Sequence, residues 1–211
     1  MSYLKIKVCG MRYGENIQEL LTLNPDFIGF IFYPYSSRYV GNAWDPELTA
    51  AIPDSIQKTG VFVNAGTKTI LAAAEKYHLN TIQLHGSETP SQCRETRQNG
   101  YHVIKAFAVG VDFDFSIAAD YEGAVDYFLF DTKTHKHGGS GKKFNWRILE
   151  QYKGGTPFLL SGGIGLEDVP AILQTEHTML AGVDINSRFE DEPGLKNIEM
   201  ITDFIHQIRN S

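Results

Sequence analysis

The sequence predicts a single (β/α)8 barrel, the TIM-barrel architecture, formed as one domain by residues 1–211. Eight short apolar runs rich in Val, Ile and Phe recur along the chain, as expected for strands that are buried on both faces. Turn residues and stretches with helical spacing separate these runs, and this alternation is typical of repeated βα units around a parallel sheet. A flavodoxin-like or Rossmann sheet would use five or six strands, so the number of runs favours the barrel.

The individual strands are marked by apolar runs that end in turn residues. They are expected to begin at Leu4 (LKIKVC), Phe27 (FIGFIF), Thr59 (TGVFV), Thr81 (TIQLH), His102 (HVIKAF), Asp126 (DYFLFD), Pro157 (PFLLS) and Gly182 (GVDIN). Capping residues followed by apolar residues three or four apart predict helices between them. The clearest helices begin at Thr67 (TKTILAAAEKYH), Thr89 (TPSQCRETRQNG) and Leu166 (LEDVPAILQTE), and the last runs from about Leu195 to Ile208.

Composition excludes several classes of function. The net charge is -6 and the charged residues are spread along the chain, so nucleic acid is not an expected partner. No apolar run approaches the roughly 18 residues of a membrane span, and the first residues do not resemble a secretion signal, so we expect a cytoplasmic protein without a membrane partner. Cys9 and Cys93 are the only cysteines and are expected to be free thiols.

Residues at the carboxyl ends of barrel strands face the catalytic mouth. Cys9 ends the first predicted strand. A buried thiol is usually structural, but nearby cations or helix N-termini lower its pKa and make it a base or nucleophile. Asp131 ends the sixth strand and is a candidate general acid, with a turn or cap residue as the alternative. Cys93 lies within a predicted helix, so we expect it to be structural.

The loop after Asp131 is rich in glycine and contains two histidines. Gly139 and Gly141 are candidate pocket residues because backbone N–H groups there can approach a ligand, although GGSGKK lacks the pattern of a nucleotide P-loop. His135 and His137 stand two residues apart with no third ligand in evidence. We therefore predict no metal site and interpret both histidines as solvated.

The loops after strands seven and eight are the usual phosphate site of such barrels. Gly162 and Gly163 precede a predicted helix whose free N–H groups would suit an anion. Asn186 and Ser187 follow strand eight, so together the two loops predict a phosphorylated ligand.

Arg38 and His85 are two further candidate residues near the predicted mouth. Arg38 follows strand two, and its planar fork suits a carboxylate, although a solvated surface arginine is the alternative. His85 ends QLHG and is either a polar pocket residue or a satisfied core histidine, the second being more typical.

Taken together, these motifs resemble those of the phosphoribosylanthranilate isomerases, cofactor-free enzymes of tryptophan biosynthesis, over the whole chain. The resemblance rests on KVCGM, GFIFYPYSSRYV, TGVFVN, IQLHG, FLFDTKTHKHGGSGKKFNW, LLSGGI and GVDINSRFEDEPGLKN, in the family's order. It implies a phosphosugar substrate, with Asp131 as general acid, Cys9 as general base and Arg38 as the group that holds the anthranilate carboxylate. Both a monomer and a homodimer are compatible with the sequence.

One segment departs from the family's pattern. Asn186-Ser187-Arg188-Phe189-Glu190 stands where Ser-Ser-Gly-Val-Glu is common, so Arg188 replaces a glycine beside the expected phosphate site. We expect Arg188 to add a charge-assisted phosphate contact. The alternatives are another phosphosugar barrel enzyme, such as a ribulose-phosphate epimerase or an indole-glycerol-phosphate synthase, and a binding protein without turnover. The metal ligands of the first and the catalytic lysine and glutamate of the second are not evident.

Overall fold

Eight parallel strands close into a barrel, which confirms the predicted fold class. The structure, a computed structural model, describes residues 3–42, 44–132 and 145–210. The barrel strands are β1 (Lys5–Cys9), β2 (Phe27–Ile31), β3 (Gln57–Phe62), β4 (Thr81–Leu84), β5 (His102–Val109), β6 (Tyr127–Thr132), β7 (Phe158–Leu160) and β8 (Leu180–Ile185). Each strand pairs with the next along the chain, and β8 pairs with β1 to complete the ring.

Helices of very different length surround the barrel. They are α1 (Gly14–Leu21), α2 (Glu47–Ala50), α3 (Thr67–Lys76), α4 (Pro90–Gln98), α5 (Ser116–Ala119), α6 (Val169–Leu173) and α7 (Ile198–Arg209). Short 3-10 helices cover Trp146–Gln151, Leu166–Asp168 and Ser187–Phe189. Several connections are thus a single turn, which is how eight units fit into a short chain. No helix in the described ranges is long and apolar enough to cross a membrane.

The two C-terminal helices differ from prediction. The segment predicted as a helix from Leu166 begins as a 3-10 turn, and the α-helix α6 covers only five residues. The final helix starts at Ile198 rather than Leu195, because Asn197 caps it by accepting the Met200 N–H at 2.9 Å. The residues before the cap form a small antiparallel ribbon, β9 (Glu190–Glu192) and β10 (Leu195–Lys196), which the sequence pattern did not reveal.

Apolar packing forms two layers. Inside the barrel lies a small apolar cluster that consists of Phe27, Ile104, Ala106, Leu129 and Leu159. The larger cluster lies between the strands and the outer helices, where α7 buries Ile201, Phe204, Ile205 and Ile208 as its apolar face predicts. The side chains of a strand alternate between these layers, so residues two apart along a strand share the interior. This alternation decides which polar residues reach the site.

Candidate active site

The first strand carries two polar side chains into the barrel interior. In the register, Lys7 of β1 lies beside Phe27 of β2 and beside Asp184 of β8, while Cys9 lies beside Gly29. The Lys7 ammonium is fully buried and donates a 2.8 Å hydrogen bond to Oδ1 of Asp184. The Cys9 thiol is 3% exposed and ends the strand, as expected.

The ionisation of Cys9 is set by opposing influences. Burial raises the pKa of the thiol, and this effect outweighs the others. The positive charges of Lys7 and Lys196 lower the pKa, with Lys7 the stronger of the two, whereas the Asp184 carboxylate raises it. A thiolate at this position therefore depends on the cations that face it.

Cys93 behaves as the sequence predicts for a structural thiol. It is fully buried in α4, and burial raises its pKa to about 11. Both cysteines are free.

Asp131 and His85 face each other across the ends of β6 and β4. Nε2 of His85 lies 3.5 Å from Oδ2 of Asp131, and each side chain is about one-third exposed, at 31% and 30%. Oδ1 of Asp131 accepts the Thr132 N–H at 2.8 Å, which holds the carboxyl in one orientation. Of the two interpretations of His85, the structure favours the polar pocket residue over the core histidine, because β4 ends at Leu84 and the His85 side chain is partly exposed beside Asp131.

Arg38 is held by a carboxylate of the protein itself. Its Nε lies 2.9 Å from both carboxylate oxygens of Glu190, and Nη2 lies 2.6 Å from Oε2. Lys196 donates to the same carboxylate at 2.6 Å and to Oδ1 of Asn186 at 2.7 Å. These contacts leave the Nη1 edge of the guanidinium, which has only a 3.5 Å contact to Ser37, for a ligand.

Burial and charge act on the ionisation of this cluster. Burial lowers the pKa of Lys196 to about 8, against the pull of Glu190. For Glu190, burial raises the pKa, but the Arg38 hydrogen bonds and the Lys196 charge outweigh it and leave the pKa below its usual value. Arg38, Lys196 and Glu190 together carry one excess positive charge beside Cys9 when all are ionised.

The loop after β7 has the backbone shape of an anion cradle. Gly162 and Gly163 have φ angles of +99° and +68°, which glycine adopts readily. The helix start that follows does not offer all its N–H groups, because the Gly165 N–H donates to Oδ2 of Asp168 at 2.7 Å. The Gly165 N–H is therefore not available to an anion.

The loop after β8 meets the loop after β7 through an exposed ion pair. Arg188 lies 2.7 Å from Oε1 of Glu167. Asn186 and Ser187 precede it, and Asn186 uses its side-chain oxygen to accept from Lys196. The structure therefore brings Arg188 to the segment that follows Gly162 and Gly163, where it pairs with a carboxylate of the protein itself.

Sequence reasoning missed four charged residues that support the site. They are Lys7, Asp184, Glu190 and Lys196, each at most one-tenth exposed in its side chain. Two of them had a detectable signal, because Lys7 stands two residues before Cys9 and Asp184 two before Asn186 in otherwise apolar strands.

Some predictions fall on residues that lack a description. Gly139 and Gly141, together with His135 and His137, lie outside the described residues. Within the ranges that are described, His, Cys, Asp and Glu side chains form no group of three that could hold a metal ion.

The fold and the site define the protein as a barrel enzyme whose mouth carries Cys9 at the end of β1 and Asp131 next to the end of β6. A family model described as N-(5'phosphoribosyl)anthranilate (PRA) isomerase matches residues 6–207. The chain belongs to this family of isomerases. The N-(5'-phosphoribosyl)anthranilate isomerase of Parabacteroides distasonis is 49% identical over 204 residues, covering 96% of this chain and 92% of that protein. That of Phocaeicola vulgatus is 47% identical over 204 residues, with 97% of each chain covered.

Solved structures agree with this assignment. The phosphoribosyl anthranilate isomerase of Thermotoga maritima has a TM-score of 0.87 and 33% identity, with 99% of this chain and 100% of that chain covered. A structure described as this isomerase in complex with reduced 1-(o-carboxyphenylamino)-1-deoxyribulose 5-phosphate has a TM-score of 0.83 and 30% identity, with 99% and 100% of the two chains covered.

Proposed function

We propose that the protein catalyses the Amadori rearrangement of N-(5-phosphoribosyl)anthranilate to 1-(2-carboxyphenylamino)-1-deoxyribulose 5-phosphate in tryptophan biosynthesis, without a cofactor, and that residues 1–211 act as one isomerase domain. The observation that carries the proposal is the pair of proton-transfer groups at two strand ends of one mouth, Cys9 on β1 and Asp131 on β6. Membership of the isomerase family supports the choice of substrate.

Asp131 acts as the general acid. Its proton passes to the ring oxygen of the ribose, the bond from C1 to that oxygen breaks, and the nitrogen lone pair forms the Schiff base. His85, with its ring nitrogen 3.5 Å from Oδ2, is placed to exchange a proton with this carboxyl. Both groups are partly exposed and therefore accessible to a substrate.

Cys9 acts as the general base. Its thiolate takes the proton from C2, and the electron pair of that C–H bond forms the double bond of an enolamine. Protonation at C1 and loss of the proton from the C2 hydroxyl then give the ketose. The ring oxygen and C1 each gain one proton, and C2 and its hydroxyl each lose one. C1 is reduced while C2 is oxidised in the same molecule, so the reaction needs no external oxidant or reductant.

Binding of the two anionic groups is assigned to opposite parts of the mouth. The Nη1 edge of Arg38 takes the anthranilate carboxylate, while Glu190 fixes the guanidinium plane. Gly162, Gly163, Asn186 and Ser187 hold the phosphate, and Arg188 adds a charge from the exposed side of the same loops.

A fluorescence assay that follows consumption of anthranilate-ribosyl phosphate, generated in situ, tests this function. Wild-type turnover that collapses in Cys9→Ser and in Asp131→Asn supports both roles. No turnover by folded wild type contradicts the proposal and favours a binding protein. Arg188→Gly is expected to raise KM with little change in kcat, and an unchanged KM would remove Arg188 from the phosphate site.

A further inference from the structure

A chain of polar groups leads from β7 through β8 to the sulfur of Cys9. Ser161 Oγ lies 3.2 Å from Oδ2 of Asp184, whose Oδ1 accepts from the Lys7 ammonium at 2.8 Å. A methyl group placed on Gly29 would lie 2.8 Å from Cys9 Sγ and 3.2 Å from Lys7 Nζ. The sulfur and the ammonium therefore face the same gap in β2, which has no side chain to separate them.

Stability alone does not account for this arrangement. A buried ion pair loses hydration on both partners, and apolar residues of similar size often serve stability as well or better. Uncharged side chains fill other interior positions, among them Phe27 and Leu129 of the apolar cluster and the buried Thr59. The Lys7–Asp184 ion pair instead lies next to the proposed base, because Lys7 stands two residues before Cys9 on the same face of β1.

We propose that Lys7 is a positioning residue for the rearrangement, whose ammonium, held by Asp184, stabilises the thiolate of Cys9. This inference rests on the proposed role of Cys9. Ionisation releases the thiol proton to water in the mouth, and the resulting thiolate lies beside a fixed cation. When the thiolate takes the C2 proton, the sulfur becomes neutral again and the Lys7–Asp184 pair is unchanged.

The other charged groups that face Cys9 are Asp184 of β8 and Lys196 of β10. β2 presents Gly29, which carries no charge. Lys196 shares its charge with Glu190 at 2.6 Å, and the charge of Lys7 lowers the Cys9 pKa more than that of Lys196 does.

The test measures ionisation of the sulfur without turnover. Protein labelled with ¹³C at the cysteine β-carbon gives two signals, because the chain has two cysteines, and Cys9→Ala assigns them. We expect Lys7→Met to move the Cys9 titration upward by about one pH unit or more, which corresponds to about a tenfold lower thiolate fraction at neutral pH. The fall in kcat is expected to be similar, to lessen as the pH rises, and to leave KM nearly unchanged.

Lys7→Met leaves Asp184 as an unpaired buried charge, so Lys7→Met/Asp184→Asn is made in parallel to keep the interior neutral. The matched control is Lys105→Met/Glu88→Gln, which removes another buried ion pair, 3.0 Å long, on β5 away from Cys9. This control is expected to lower stability without moving the Cys9 titration. In unmodified protein, the Lys7 ε-carbon signal is expected to shift with the same midpoint as the Cys9 signal.

The outcomes separate the two proposals. A Cys9 titration in Lys7→Met/Asp184→Asn that matches the titration in Asp184→Asn alone would overturn the inference, because Asp184 itself raises the Cys9 pKa. A Lys7 ε-carbon signal that does not shift when Cys9 ionises, or a shifted Cys9 titration with unchanged kcat, would also overturn it. If Cys9→Ser turns over as fast as wild type, the proposed base is wrong, whereas the titration still reports whether Lys7 stabilises the thiolate.

Discussion

Replacement of Gly162 by alanine tests how tightly the proposed phosphate loop is joined to the end of β6. Gly162 has a φ of +99°, which costs a non-glycine residue about 1–2 kcal/mol. Its new methyl group would overlap the Thr132 hydroxyl and lie 2.6 Å from the Thr132 backbone nitrogen, which no rotamer change can relieve. Moving that backbone adds about 1–3 kcal/mol, so the whole loss is about 2–5 kcal/mol.

Gly100 provides the matched control. It follows α4 with a φ of +92°, and a methyl group there would meet nothing within 4 Å. Urea unfolding is therefore expected to show that Gly100→Ala loses only the conformational part, about 1–2 kcal/mol. Gly162→Ala is also expected to lower kcat, because Thr132 follows Asp131 and donates to its carboxyl at 2.8 Å. Equal losses of stability in the two variants would refute the argument from crowding.

Three further predictions concern stability. Lys105→Met leaves the buried carboxylate of Glu88 without its cation and is expected to cost about 3–5 kcal/mol in urea unfolding; a loss no larger than that of Lys105→Met/Glu88→Gln would contradict this. The lowered pKa of Glu190 gives stability that is present above the unfolded value of 4.5 and is lost as the pH falls through the folded pKa. Urea unfolding below pH 5 is thus expected to depend less on pH in Glu190→Gln than in wild type, and an equal pH dependence would exclude this contribution. Phe204→Ala, which removes a ring packed 5.1 Å from that of Phe189, is expected to cost about 3–5 kcal/mol, measured by thermal melting with exposed Asp203→Ala as the control.

The barrel was predictable because its strands differ strongly from their surroundings. Phe27–Ile31 and Tyr127–Thr132 are almost entirely apolar, and a parallel ladder buried on both faces needs that composition. The ribbon at residues 190–196 was not predictable from pattern. Its sequence EDEPGLK is polar, and its short strands depend on the turn at Gly194 and on contacts to Arg38 and Asn16 that are distant in sequence.

The candidate site also contains residues that the sequence predicts and residues that it does not. Cys9 and Asp131 could be predicted because the end of a barrel strand faces the mouth, which is a property of local position. The ion pairs of the buried cations in the site depend instead on contacts between elements that are distant in sequence. Lys7 meets Asp184 only because β8 closes the ring against β1, and Arg38 meets Glu190 only because β9 folds back over the loop after β2.

The net negative charge of an acidic protein repels an anionic substrate. Binding then needs cations in the site whose local attraction outweighs that repulsion. The chain has a net charge of -6, whereas the proposed substrate carries a carboxylate and a phosphate. Arg38 and Lys196 are almost wholly buried, at 10% and 0% exposure of the side chain, so salt screens their field much less than that of a surface pair such as Arg188 and Glu167. One carboxylate, Glu190, cannot neutralise both cations, and the remaining positive charge lies beside Cys9. In the proposed mechanism, the same excess charge would serve two steps, because it would attract the substrate's carboxylate and favour the thiolate that removes the C2 proton.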